Sequence, residues 1–263
     1  MPKISVVSCV NDFDKYNCCV GISFQQEQRD GTVELLPIDN TSNNLSAPAA
    51  LNLGIAKADN NIIVCCHQDV IFPEKWTTSL FEQINIIEGT HKNWGVLGIF
   101  GIAKNGMRAG NVIDYCGHSY NLPLPAEVQS LDELCLIIRK DSRLRFDEEL
   151  SGFHLYGADI CLEAMAKGLT NFAIDACVTH TSPGGKLGPD FYEAEEKLFN
   201  KWNGRNPPIP TIETTCKFCR LQGGLKGFLA YKIIRRKRKR RKKIIENLTS
   251  AGVDFKLLRH DSI

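Results

Sequence analysis

Along the first two hundred residues, short apolar runs rich in β-branched residues alternate with longer stretches in which apolar positions recur at helical spacing. The runs fall at residues 3–10, 33–38, 61–66, 94–100, 134–138 and 172–178, and each gives way to a polar segment. They read as buried strands. Helical spacing is found from about residue 13 toward Gln28, and again over 48–57, 74–87, 158–167 and 191–202. Ser46 is placed to cap the second of these helices, with Pro48 in its first turn, and Gly168 is placed to end the fourth. Short strands alternating with helices of about ten residues predict an α/β fold, a mostly parallel sheet covered by helices on both faces. Residues 104–127, rich in Gly, Asn and Pro, follow neither period, and read as a loop over a site or as a hairpin. Asn206-Pro207-Pro208-Ile209-Pro210 marks a linker. The expected division is a body over 1–206, then a linker and helical extension over 207–263.

Composition adds two facts to this pattern. The chain has 263 residues, 43% of them hydrophobic, which allows a sizeable core and excludes disorder throughout. Its formal charge of +2 hides an asymmetry. Ten Lys and Arg and no acid stand between Tyr231 and Ile245, and the rest of the chain has 22 basic residues against 30 acidic. The helix-compatible segment 225–248 places Phe228, Leu229, Tyr231, Ile233 and Ile234 before this basic block, and Ile244, Ile245 and Leu248 after it. Such a segment suits an anionic membrane surface. The alternative is pairing with the acidic body or with a partner subunit of an oligomer. Nucleic acid is disfavoured, because no recognition motif accompanies the block and the acidic body repels phosphate. No apolar run approaches 18 residues and no basic-then-apolar leader opens the chain, so it is expected to be neither secreted nor membrane-spanning. Eleven cysteines, an odd number, read as free thiols of a reducing cytosol. Cys216 and Cys219 have the spacing of half a zinc site, but no second pair follows and they read as incidental thiols.

Ligands of open α/β sheets sit at the carboxyl ends of the strands. Carboxylates stand at such ends at Asp39 and Asp69, another lies in the Asp159 region, and His180 closes a further run. A lone Asp there is ordinary turn chemistry; the repetition points to convergence on one edge. Asp69 and His180 together offer oxygen and nitrogen ligands for Mn²⁺ or Mg²⁺, with phosphate oxygens completing the shell. A Gly-x-Gly-x-x-Gly turn and a Lys-bearing phosphate loop are absent, so a bound nucleotide would need a metal to neutralise its phosphates. Gly-x-Ser-x-Gly is absent too, which argues against an α/β-hydrolase.

Five segments in order carry a family resemblance: Ile4-Ser5-Val6-Val7, Leu36-Pro37-Ile38-Asp39-Asn40-Thr41-Ser42, Cys66-His67-Gln68-Asp69-Val70, Phe153-His154-Leu155-Tyr156-Gly157-Ala158-Asp159-Ile160-Cys161-Leu162-Glu163-Ala164, and Thr179-His180-Thr181-Ser182. Over about residues 3–202 the chain resembles inverting glycosyltransferases of the GT-A fold, in the family-2 superfamily, and more narrowly the StrF-type glycosyltransferase-like group. The resemblance implies a nucleoside-diphosphate-sugar donor and a hydroxyl acceptor such as a lipid-linked glycan. It also implies a setting in polysaccharide or cell-surface glycan synthesis, in the cytoplasm or at the inner face of the membrane. It assigns Asp39, Gln68 and Asp69 to the donor, and Asp69 and His180 to a Mn²⁺ or Mg²⁺ ion. The family's Asp-x-Asp falls on His67-Gln68-Asp69, which leaves His67 for the ribose, a bound water or no role. The family's Glu-Asp-x-Asp falls on Tyr156-Gly157-Ala158-Asp159, which puts Gly157 where the catalytic base stands. Asp159 is then either the base or the residue that fixes the start of a helix. Gly157 and the altered Asp-x-Asp also give a reason to weigh an inactive GT-A-like protein that binds a nucleotide sugar or scaffolds a complex.

Overall fold

The computed structural model describes residues 2–114, 122–150, 152–182, 188–203, 205, 209, 211–216 and 220–250. Pro207, Pro208 and Pro210 of the expected linker, and Cys219 of the paired thiols, lie outside the described residues. In chain order the structure opens with β1 (Ile4–Val10), helix α1 (Phe13–Tyr16) continuing into a π-helical turn (Asn17–Gly21), α2 (Gln25–Arg29) and β2 (Val33–Asp39). Helix α3 (Ala47–Lys57), β3 (Ile62–Cys66), β4 (Val70–Ile71), α4 (Trp76–Glu88) and β5 (Trp94–Gly98) come after these. An excursion of short strands is next: β6 (Phe100–Ile102), β7 (Arg108–Gly110), β8 (Val112–Ile113), β9 (Ala126–Val128) and β10 (Ser130–Leu131). Then come β11 (Cys135–Arg139), α5 (Tyr156–Ala166), β12 (Thr170–Ala173), β13 (Val178–His180), α6 (Pro189–Asn203), the pair β14 (Ile212–Glu213) and β15 (Arg220–Leu221), and α7 (Gly224–Ser250).

The main sheet has the order β2-β1-β3-β11-β5-β12-β9. Successive side chains of a strand point to opposite faces, and the core divides accordingly. Val6, Val64, Leu97 and Ile137 face one cluster with Phe24, Phe72 and Trp76; Val7, Ile63, Val96 and Leu136 face another with Leu51, Ile55, Ile160 and Cys161. Both faces are therefore covered, as the continuous apolar runs require. Ser46 caps α3 as expected, its hydroxyl accepting the Ala49 N–H at 3.3 Å.

The sheet is parallel in β2-β1-β3 and mixed beyond. β11 runs antiparallel to both β3 and β5, and β9 antiparallel to β12. The reason is topological: β5 ends at the ligand edge and the excursion after it returns to that same edge, so β11 enters from the opposite end. The irregular segment expected over 104–127 holds β7, β8 and the start of β9. The run expected as one strand over 172–178 divides in two. The Ile174 N–H still bonds Gly98 O in the main sheet at 2.9 Å. The chain then crosses to a separate three-stranded sheet, β4-β13-β8, while the Trp76 indole N–H holds Ala176 O at 2.8 Å.

The described residues cluster into two compact units, one within 2–200 and 212–221, the other within 201–211 and 222–250. In the first, α3 lies so close to β1 that a Cβ on Gly54 would stand 2.1 Å from Val7 Cγ1. Overpacking of this kind costs about 1–3 kcal/mol, against the ~1 kcal/mol that Ala gains over Gly inside a helix. Gly54→Ala should lower the midpoint of urea unfolding at unchanged slope. A midpoint at or above the wild-type value would show that α3 backs away from β1 without loss.

Candidate functional site

The ligand edge is built from strand ends. β1 and β2 finish level, with Val10 opposite Asp39 and the Asn40 N–H on Val10 O at 2.7 Å. Gln68 ties the end of β3 to the end of β1. Its Oε1 accepts the N–H groups of Asn11 (3.0 Å) and Asp12 (3.1 Å), and its Nε2 donates to Asn11 Oδ1 at 2.6 Å.

Register brings Asp69 and His180 together. β4 and β13 pair antiparallel with His180 opposite Val70, and Thr181 turns its N–H (3.1 Å) and its hydroxyl (3.0 Å) onto Asp69 O. His180 Nε2 then lies 3.4 Å from Asp69 Oδ1, with the two side chains 20% and 13% exposed. His67 arrives from β3. Its N–H bonds Leu134 O at 3.0 Å, continuing the ladder with β11 past the Cys66–Cys135 pair, and its ring meets His180 edge-on with centroids 5.8 Å apart. One ligand atom from each of His67, Asp69 and His180 lies within 4.8 Å of the other two. His67, expected at the ribose, at a bound water or idle, is thus part of this cluster.

Three donors of this kind fit a divalent cation. Two imidazoles and one carboxylate suit a divalent transition metal, whereas Mg²⁺ takes oxygen ligands almost throughout. Burial would raise the Asp69 carboxyl, but the hydrogen bond and charge of His180, then the charge of His67, hold it below its ordinary value. The same pair acts in reverse on His180: burial pulls it down, and the Asp69 hydrogen bond and charge, with Asp132 and Asp114 behind, carry it above the ordinary histidine value. His67 is drawn down by burial against the pull of Asp69 and Asp132. In the metal-free cluster burial favours the neutral form of His67, while Asp69 and His180 favour each other's charged forms, so a cation that enters competes with a proton on His180. Tyr156 Oη, 3.3 Å from His67 Nε2, orients that ring. The adjacent Cys66 is no ligand, because burial pushes its thiol up to about 12 and its Sγ sits 3.2 Å from Ser8 Oγ.

A cavity of about 230 Å³ opens beside the cluster, lined by Asn11, His67, Gln68, Asp69, Phe153 and Tyr156 among others. Of the residues expected to bind the donor, Gln68 and Asp69 line it. Asp39 stands exposed at the end of β2, outside the lining; the Thr41 N–H and hydroxyl, each at 2.9 Å, hold its carboxyl below its ordinary value. Asp159 is fully buried in the first turn of α5 and is outside the lining as well. Of its two expected roles, that place suits the carboxylate favoured by the helix dipole.

Two features of this edge carry no signal in the sequence. Gly157 sits against backbone: a Cβ there would be 2.6 Å from Leu131 O and 3.3 Å from Glu133 Cγ. Its N–H donates to Glu133 Oε1 at 3.2 Å. Glu133 becomes visible at this edge only once β11 is known to run antiparallel.

Among known families, residues 5–180 match the one described as "Glycosyltransferase like family". The chain is 28% identical over 133 residues to "ATP synthase subunits region ORF 6" of Fuscovulum blasticum, an alignment covering 48% of this chain and 53% of that protein. It thus spans about half the length of that curated relative. Among solved structures, S. aureus TarS 1-349 in complex with UDP-GlcNAc superposes with a TM-score of 0.51 at 12% identity, over 78% of this chain and 68% of that one. GalNAc-T7 with UDP, GalNAc and Mn²⁺ does so with a TM-score of 0.53 at 12% identity, over 79% of this chain and 49% of that one. At such identities the overlays establish the fold, a mixed α/β sheet flanked by helices of the GT-A kind.

His67→Ala, Asp69→Ala and His180→Ala are each expected to weaken Mn²⁺ binding more than about tenfold in calorimetric titration, while Asp39→Asn leaves it unchanged. Wild-type affinity in His67→Ala would return that ring to a packing role.

Proposed function

The chain belongs to the glycosyltransferase-like family, and from that premise we propose that it moves a sugar from a nucleoside-diphosphate donor to a hydroxyl acceptor with inversion at the anomeric carbon. The observation that carries this reading is the convergence of His67, Asp69 and His180 on one point beside a cavity at the strand ends. Uridine nucleotides in the TarS and GalNAc-T7 structures support UDP as the carrier, and the Mn²⁺ of GalNAc-T7 agrees with the two-imidazole donor set. The bound ion would offset charge on the departing diphosphate. Asp69 is assigned to the ion and the diphosphate, His67 and His180 to the ion alone. Gln68 holds the ends of β1 and β3 in place around the donor, and Asp39 is assigned to its nucleoside. Kinship with the StrF-type group is proposed too, with the five motif segments between Ile4 and Ser182 as its support, and with it a setting in surface-glycan or other polysaccharide synthesis.

We place this reaction at the cytosolic face of an anionic membrane, with a lipid-linked glycan as acceptor. In the second unit, Leu225, Leu229 and Ile233 stand one turn apart on α7 and are 74%, 52% and 54% exposed. Helical spacing continues that line into Arg236, Arg240 and Lys243, also exposed. Apolar groups followed by cations on one side of a helix fit acyl chains and anionic headgroups. Among the described residues no helix is long and apolar enough to cross a membrane.

Gly157 favours one other reading, nucleotide-sugar binding without transfer. Incubation with UDP-GlcNAc, UDP-GalNAc or UDP-glucose and Mn²⁺ should release UDP at a rate that chelation abolishes. Tight UDP binding with no release from any donor would establish the non-catalytic reading, and a product of retained configuration would exclude inversion. In co-sedimentation, full-length protein should bind vesicles containing phosphatidylglycerol more than tenfold better than pure phosphatidylcholine. Equal binding after removal of residues 232–263 would rule out the membrane role of the basic helix.

A further inference from the structure

We propose that Glu133 is the general base of the transfer, an inference that rests on the transferase reading. The family resemblance puts the base at position 157, where this chain has Gly. The structure shows why no carboxylate stands there. A side chain at 157 would start 2.6 Å from the Leu131 carbonyl and 3.3 Å from Glu133 Cγ, so the space is already taken. A carboxylate stands beside it all the same, since Glu133 Oε1 receives the Gly157 N–H at 3.2 Å. The acid is supplied from the turn before β11 rather than from the helix.

Placement agrees with the role. β11 runs antiparallel to β3, so the residues just before it lie at the same edge as the residues just after β3, and Leu134 O takes the His67 N–H. Tyr156, which lines the cavity, has its hydroxyl within 3.5 Å of Glu133 O and 3.3 Å of His67 Nε2. Glu133 is thus joined to the ion cluster through its backbone carbonyl and the Tyr156 side chain; it is only partly buried and, like Asp159, lies outside the cavity lining. The alternative base, Asp159, has no exposed surface.

The surroundings of Glu133 also suit proton transfer. Burial, then the charge of Asp132, push its carboxyl up to about 8, against the hydrogen bonds from the Gly157 and Leu155 backbone. From α5, Tyr156 and Cys161 face it, and both are themselves raised by burial with Glu133 as a further cause, so both stay neutral. A carboxylate that holds its proton more firmly than usual is the stronger base. In the reaction the acceptor oxygen bonds to the anomeric carbon, and the bond from that carbon to the diphosphate oxygen breaks with its electron pair leaving on the diphosphate. The acceptor proton ends on Glu133.

The test uses the full-length chain with Mn²⁺ and UDP-GlcNAc, UDP-GalNAc or UDP-glucose, water serving as the acceptor and released UDP as the readout. Glu133→Gln, nearly identical in shape, should lower kcat by about 10²–10⁴-fold, with UDP affinity and melting temperature unchanged. Glu133→Asp should recover part of the rate. Full turnover in Glu133→Gln overturns this inference and leaves the transferase reading standing. Equal loss of UDP binding and turnover also overturns it, by showing that the residue only shapes the site. A wild-type chain that releases no UDP overturns the transferase reading and the inference with it.

Discussion

The register of two short strands decides whether this molecule has a site. β4 is two residues long and β13 three, yet their pairing sets His180 opposite Val70 and so beside Asp69. Strand side chains alternate between faces, and a slip of one residue would turn His180 away from the carboxylate. So short a ladder does not fix its own register. Packing beneath it does: Val70 and Val178 belong to the same core cluster as Phe24, Phe72 and Trp76, whose rings meet tilted or edge-on with centroids 4.6–6.1 Å apart. The bond from the Trp76 indole to Ala176 O then fixes where the crossing chain must lie. The ion cluster is in this sense a product of the aromatic core that seats β4 and β13.

A second constraint is the direction of β11. Had it run parallel, its polar entry would lie at the far end of the sheet, and the ligand edge would lose the residues that lead into it. Running antiparallel, it delivers Asp132, Glu133 and Leu134 to that edge. Asp132 adds negative charge that both histidines feel, and Leu134 O extends the ladder that seats His67. The mixed sheet therefore changes the chemistry at the edge as well as the topology.

Much of the framework could be read in the sequence, because it is governed by local rules. β-Branched runs became β1, β2 and β3, and Ser46 with Pro48 opened α3. Asp69 and His180 were legible as polar residues closing apolar runs. The features that stayed hidden depend on contacts distant in the chain. The direction of β11 and the division of the 172–178 run are set by partners far away in sequence, and no period announces them. His67 could be read as a strand-end histidine, since its place in the cluster depends on pairing with residue 134. Glu133 is one charged residue before a strand, and no local pattern marks it. Asp159 stands at a position that the family motif marks, while its complete burial depends on how α5 packs.

Polar residues gather at both edges of the main sheet, and comparing the two shows why only one reads as functional. At the amino-terminal edge Ser5 Oγ donates to Glu34 and accepts from the Asn60 N–H and side-chain amide, while the Asp59 N–H also reaches Glu34. Donors there meet acceptors, so the network closes on itself and joins β1, β2 and β3. At the carboxyl edge three groups with lone pairs aim at one point, and the hydrogen bond between His180 and Asp69 is what reconciles two of them. Take that proton away and the arrangement has acceptors facing acceptors. A cation restores the balance by accepting from all three at once. An edge complete in itself holds a fold together, whereas one that needs a proton or a metal ion to be complete is built for something that arrives from outside.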